Sequence, residues 1–252
     1  MGILKETNFL DRAALGLIDG VTRLQLHGYN GAITTTHETV WPASSAYTFL
    51  LVNMSAPYVS SADANDTAAG TGARTVYVEG VDTNFNAQTE TVSLNGQTSV
   101  VLTKSYMSIN KMTVLTTGSG LKNAGIVYLG TGTNTAGVPA VIHELIPAGL
   151  NASCSLRYTV PAGMTFAICH GKATGGTEVQ MEIAVNKGPI DASCRYGLPS
   201  ALFPLFCDYR TPLVMPEKTQ FQMKMLASSG TGPACATIDA LLYDKTKGAL
   251  NL

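Results

Sequence analysis

From about residue 32 onward, short Thr- and Val-rich segments alternate polar and apolar residues with a period of two, and no helix-length periodic segment interrupts them. A chain patterned this way can bury one face of each extended segment, so it must form sheets that pack face to face. In the first half, residues 33–41, 47–53, 74–79, 90–94, 99–103, 107–116 and 125–129 read as strands. In the second half, residues 140–145, 153–160, 164–170, 178–185, 202–209, 220–226 and 235–243 do so. Turn signals recur at intervals of roughly 8–12 residues, the spacing of a sandwich or barrel. Asn95-Gly96 predicts a hairpin with a type I′ turn. Val160-Pro161 and Met215-Pro216 fall where strands must end, because proline cannot donate to a ladder. Parallel α/β folds are excluded.

The stretch from Gly130 to Gly137 is poor in apolar residues and reads as a linker. The expected architecture is therefore all-β: two consecutive antiparallel β-sandwich domains, jelly-roll-like, over residues 29–136 and 137–252. A short N-terminal helical arm over residues 1–28 precedes them. In that arm Asn8 is placed as an N-cap, Phe9, Leu10, Ala13, Ala14, Leu17 and Ile18 follow at helical spacing, and Gly20 is the expected stop. Such a segment either docks on a neighbour or folds back on its own domain. If it docks, Leu4, Phe9, Leu10 and Leu17 are the candidate contacts to a partner or to another subunit.

Composition narrows the function. Charged residues are 13% of the chain, roughly half the average share, and 17 acids offset 16 bases to leave a net charge of −1. Phosphate backbones require a basic face, so nucleic acid is not an expected partner. Low charge density also weakens the repulsion between copies, which favours assembly. No stretch approaches the ~18 apolar residues of a membrane span, so no membrane partner is expected. Lys5, Glu6, Asp11 and Arg12 break any signal-peptide core, and Glu6 stands where a myristoylation motif needs Ser or Thr. Synthesis in a cytoplasm is the expectation.

Catalytic signals are sparse. His37-Glu38, His143-Glu144 and Cys169-His170 are adjacent on predicted strands, so each pair points to opposite faces. HxxxH, HExxH and GxSxG are absent. Five widely spaced cysteines without a CxxC fit neither a zinc knuckle nor a complete disulfide framework, and they read as buried free thiols. The Asp82-Thr-Asn84-Phe-Asn86 run opens like a calcium loop. It has Ala87 at the sixth position and Ser93 at the twelfth, so a turn satisfied by its own side chains explains it better. Residues 60–74, with Gly70, Gly72 and Arg74, lack the GK[ST] end of a phosphate loop and carry Asp63 and Asp66 against an anion. No catalytic residue, cofactor or metal is expected, and the chain reads as a non-enzyme. A glycan-binding module stays open, although Trp41 is the sole Trp and a lone Trp ending a strand is usually core.

Residues 66–103 carry a resemblance. Asp66-Thr-Ala-Ala-Gly-Thr-Gly-Ala-Arg-Thr-Val76, then Gly80-Val81-Asp82, then Glu90-Thr-Val-Ser-Leu-Asn-Gly96, is similar to a module of tailed-bacteriophage virion proteins that reads D-T-S-A-G-T-G-A-R-T-V, G-L-D and E-T-V-T-L-N-G. Tyr106 and the Asn123-Ala-Gly-Ile pattern extend it, so that it covers roughly residues 30–130, and Thr159-Val-Pro-Ala-Gly163 matches more loosely. The resemblance implies a virion structural protein of the head decoration (cement) or head-fibre kind. Its implied partners are the major capsid protein and copies of itself, as a trimer. The alternative it leaves is a tail- or vertex-associated adhesion protein that binds host-surface glycans.

Overall fold

The computed structural model describes residues 9–176, 178–187 and 205–247. Helix α1 (Phe9–Ala14) precedes strands β1 (Val21–Ile33), β2 (Glu38–Thr39), β3 (Tyr58–Ser61), β4 (Ala73–Val81), β5 (Ala87–Ser93), β6 (Val100–Val101), β7 (Ser108–Thr117) and β8 (Val127–Thr135). Then come β9 (Val138–Ile146), β10 (Arg157–Thr159), β11 (Met164–Gly175), β12 (Val179–Lys187), β13 (Leu205–Met215), β14 (Gln220–Ala227) and β15 (Gly232–Asp244). Every strand pairing among the described residues is antiparallel.

Two sandwiches result, but they are nested rather than consecutive. One contains both ends of the described chain: a sheet of order β1-β15-β11-β13 packs on a sheet of order β10-β14-β12. Phe166, Ile168, Ile238, Phe221, Met223 and Met181 fill the space between them. The other lies between the two parts of the first: β6-β3-β8-β9 packs on β5-β4-β7, with Val59, Leu129, Val76, Val78, Ile109 and Met112 inside.

The junction is one interrupted strand. β2 pairs with Lys224 and Met225 of β14, and β10 pairs with Gln220 to Gln222 of the same strand. Between them Val40 N–H donates to Met223 O, Met223 N–H to Leu156 O and Leu156 N–H to Val40 O, at 2.8–3.0 Å. The chain thus leaves the terminal sandwich at Val40 and re-enters at Leu156, where its two ends are hydrogen-bonded. Because closure entropy grows only logarithmically with loop length, a strand can tolerate an insertion this long when the insert's ends meet.

The expected boundaries are corrected accordingly. Residues 21–28 are not arm but strand: Leu26, Gly28 and Asn30 turn inward, Gln25, His27 and Tyr29 turn outward, and β1 pairs with β15 from Val21↔Tyr243 to Asn30↔Ala234. The helix ends before Gly20, because Gly16 already takes a left-handed φ of +69°. The supposed linker at 130–137 belongs to the β8–β9 hairpin, whose tip Asn134 holds through Gly137 N–H at 2.8 Å. The Asn95-Gly96 turn is not a type I′ hairpin. Thr98 N–H closes on Asn95 O, Gly96 alone has positive φ, and the chain crosses there from the β5 sheet to the β6 sheet. Residues 47–53 form no strand, and Tyr58–Ser61 form one that the alternation did not announce.

Removing residues 1–28 therefore takes away most of an eleven-register strand pairing rather than a free arm. The truncated chain should lose its cooperative thermal transition in circular dichroism. A melt superimposable on that of the full chain would contradict the pairing of β1 with β15.

Candidate functional site

The polar chemistry concentrates where the two sandwiches meet. Arg157, at the start of β10, is 1% exposed and reaches into the insert. Its Nη1 donates to Ile109 O at 2.9 Å, and Nη2 donates to the His143 carbonyl and to Glu144 Oε2, the latter at 2.9 Å. Nε has no acceptor among the described residues. Glu144 is fully buried and also accepts from Ser155 Oγ at 2.7 Å and Leu145 N–H at 2.9 Å. Burial pushes its carboxyl up from the ordinary value, while Arg157 and these two donors pull it down. The guanidinium carbon lies 3.8 Å from the Tyr47 ring centre and 5.6 Å from that of Trp41. Trp41, Tyr47 and Phe49 stack edge to face and form their own small core. Trp41 is therefore a joint residue rather than a sugar platform.

Amides extend the joint. Asn110 donates to Thr159 O and accepts from Thr159 N–H, both at 2.9 Å, and Thr159 Oγ1 donates to Ser108 Oγ. Tyr29 N–H donates to Cys154 O, and Ala162 N–H to Phe85 O. His143 contacts Thr131 Oγ1 through Nε2 at 3.1 Å. Burial and then Arg157 hold its imidazole down at about 4, so it is neutral at pH 7. His143 and Glu144 consequently serve different partners, as their adjacency on a strand predicts.

The 60–74 loop is a latch and not an anion cradle. Asp66 is fully buried and takes four donors: Ala73 and Ala124 N–H on Oδ1, and Ser61 Oγ and Gly125 N–H on Oδ2, at 2.6–2.9 Å. A Cβ on Gly72 would stand 2.1 Å from Asp66 Oδ1, so that position requires glycine. Arg74 Nε donates to Gly70 O, closing the loop on itself. In the second loop Asp82 accepts from Asn84 and Asn86 N–H and from the Asn86 and Gln88 amides. Burial raises its pKa, but these donors outweigh it and hold the carboxyl below its ordinary value. The turn reading of that run is the observed one.

Cys169 and His170 do not point to opposite faces of their strand. The register of β11 shifts between Ile168 and His170, and this bulge turns Cys169 and His170 into the same cavity of about 280 Å³, beside Asp11, Arg23 and Asp239. His170 Nδ1 pairs with the Asp208 carboxylate and Cys169 Sγ donates to Ala167 O. Among the described residues no hydrogen bond joins the two. Burial and then Asp239 push the Cys169 thiol up, and burial and then Glu144 raise Cys154, so neither sits in a thiolate-forming environment. Among the described residues no group of three or more His, Cys, Asp or Glu side chains is placed to hold a metal, and no helix is long and apolar enough to cross a membrane.

Of the predicted contact residues, Phe9 and Leu17 are exposed on the helical segment, while Leu4 and the side chain of Leu10 lie outside the described residues. The segment divides its faces. Ala13 and Ile18 pack on Val21, Leu241 and Tyr243, whereas Leu15 and Leu17 are 61% and 52% exposed. Leu15 falls outside the helical repeat and was not among the expected contacts. A cleft of about 510 Å³ separates the insert from β1, and Tyr158 lines it together with both walls.

The sequence matches no protein family and no curated protein. Two solved structures align at 10% identity. One is of infectious bursal disease virus, Gx strain, covering 97% of this chain and 82% of that one with a TM-score of 0.18. The other is the VP2 subviral particle of infectious bursal disease virus, covering 90% and 77% with a TM-score of 0.17. Neither superposition identifies a shared fold.

The joint generates a double-mutant test. Arg157→Met leaves Glu144 buried without its cation and should cost about 3–5 kcal/mol in denaturant unfolding. Arg157→Met with Glu144→Leu should cost clearly less than the two single changes added together. Additivity within about 0.5 kcal/mol would show that the two groups are not coupled.

Proposed function

We propose that the protein is a non-enzymatic structural protein of a bacteriophage particle, a head decoration protein that binds the outer capsid surface and stabilises the shell. The winding of the terminal sandwich carries this reading. Its first strand, β1, pairs with its last, β15; the split second strand pairs with the next to last, β14; and β11 pairs with β13. Successive described strands alternate between the two sheets. This is a ribbon of paired strands rolled up on itself, the jelly-roll layout used by viral capsid and lectin domains. The insert does not wind this way, since β3 pairs with β6 and β8, so the jelly-roll reading applies to one sandwich of the two.

The resemblance at residues 66–103 turns the reading toward phage virions, and the latch gives those residues a physical purpose. Asp66 accepts from Ala73 N–H on its own side and from Ala124 and Gly125 N–H on the other, and so joins the two separated parts of the module. The capsid is the partner assigned to the exposed apolar side of the N-terminal segment, with copies of the same chain, as a trimer, completing the decoration. The location this implies is the virion.

Leu15→Ser with Leu17→Ser tests the assignment without disturbing Ala13 or Ile18. Exposed substitutions change stability by about 0.5 kcal/mol or less each, so the thermal midpoint of the double variant should hold within about 4 °C. Each leucine contributes ~1–3 kcal/mol if buried against a partner. Purified particles mixed with the variant should therefore retain at least tenfold less of it than of the parent protein. Wild-type retention would remove this segment from the capsid contact.

A further inference from the structure

The cleft between the insert and the terminal sandwich exposes something rarer than side chains, an unpaired strand edge. In an antiparallel pair, residues alternate between those whose N–H and C=O face the partner strand and those whose groups face away. Two bonds fix this parity along β1. Asp244 N–H donates to Gly20 O at 2.7 Å, which turns even-numbered residues toward β15. Tyr29 N–H donates away from β15, to Cys154 O at 3.1 Å. The backbone groups of Arg23, Gln25 and His27 therefore point outward, and β1 is the edge of its sheet. No hydrogen bond among the described residues engages them there. All three residues line the cleft.

Exposed edges invite pairing with another chain, and proteins commonly blunt or cover them. Here the opposite wall does part of that work. Thr89, Glu79 and Lys111 form a cross-strand row on the insert, facing β1. With the insert in place a second whole sheet has no access to β1, but the cleft of about 510 Å³ leaves room for a single strand.

We propose that this cleft is a strand-addition site, in which the outward edge of β1 from Arg23 to His27 takes one extended polypeptide segment from a partner. The three outward residues span ~13 Å at about 3.3 Å per residue, matching a segment of about five residues. They offer donors and acceptors at two-residue intervals, a spacing that the edge of an extended peptide reproduces and the hydroxyls of a saccharide do not. Charge complementarity sets the composition. Glu79 neighbours Lys111, and Arg23 is paired with Asp239 at 2.8 Å, so the walls select a segment with no net charge and with both signs tolerated. Strand-breaking proline is excluded from the segment's inner edge. This geometry holds wherever the protein works, so it does not rest on the particle reading.

The test uses the full 15N-labelled chain and the peptide acetyl-Thr-Lys-Val-Glu-Thr-amide, followed by amide hydrogen exchange. In the free protein Arg23, Gln25 and His27 should exchange at least tenfold faster than Leu24 and Leu26, whose amides face β15. Millimolar peptide should slow the three outward amides at least tenfold, and the same peptide N-methylated at alternate residues should not. Gln25→Pro removes one outward donor while sparing the ladder to β15, and it should weaken binding fivefold or more with the thermal midpoint retained. If that variant fails to fold, exchange in the parent chain still decides. Equal protection of inward and outward amides in the free protein overturns the proposal, as does failure of the peptide to slow exchange. Undiminished binding of the N-methylated peptide also overturns it. Protection by maltotriose in place of the peptide would make the cleft a glycan site instead.

Discussion

The buried contact between Arg157 and Glu144 is the constraint around which the two sandwiches are arranged. Arg157 begins the second half of an interrupted strand, and Glu144 lies near the end of the last strand of the insert. Their contact therefore joins the point where the chain re-enters the terminal sandwich to the body it has just left. Taking two charges out of water costs several kcal/mol per ion, and mutual attraction returns this only when hydrogen bonds saturate both groups. Glu144 is saturated by Arg157, Ser155 and Leu145, whereas Arg157 fills Nη1 and Nη2 with Ile109 O, His143 O and Glu144, lies against the Tyr47 face, and leaves Nε without an acceptor among the described residues. Such a pair acts chiefly by fixing geometry. The pair ties β9 of the insert to β10, and the β1 edge lies open along the cleft beside it.

Alternation in the sequence was enough to find most strands, because each sits on a sheet with one buried face. It was not enough to find their partners. β1 and β15 are separated by almost the whole chain, and nothing local in Thr22 to Asn30 announces Leu242 to Ala234 as its complement. The alternation of Leu26 and Gly28 against Gln25 and His27 is present, but it follows directly on the helical spacing of Phe9 to Ile18, which masks where the strand begins. Gly130 to Gly137 misled for a different reason: glycine and threonine suit a linker and a hairpin tip equally, and only pairing tells them apart. Nesting as such leaves no local trace.

The candidate site was legible in composition more than in place. The Asp66 module is visible as a pattern, and the Asp82 turn is legible in its side-chain chemistry. Nothing in the sequence marks the joint, since Arg157, Glu144, Trp41 and Tyr47 come from distant segments and match no motif. The Cys169 bulge was equally hidden, because an extra residue inverts the side-chain alternation on which adjacency arguments depend. Two surfaces with different physics emerge. One is the apolar side of the N-terminal segment, which would attach through area. The other is the β1 edge, which would attach through directional backbone bonds.

Copy number in purified phage particles, measured by quantitative mass spectrometry against the major capsid protein, tests the central claim most directly. A decoration protein should be present in a fixed, high ratio to the shell subunit, whatever the preparation. A handful of copies per particle would move it to the tail or a single vertex, and absence from the particle would contradict the virion reading altogether.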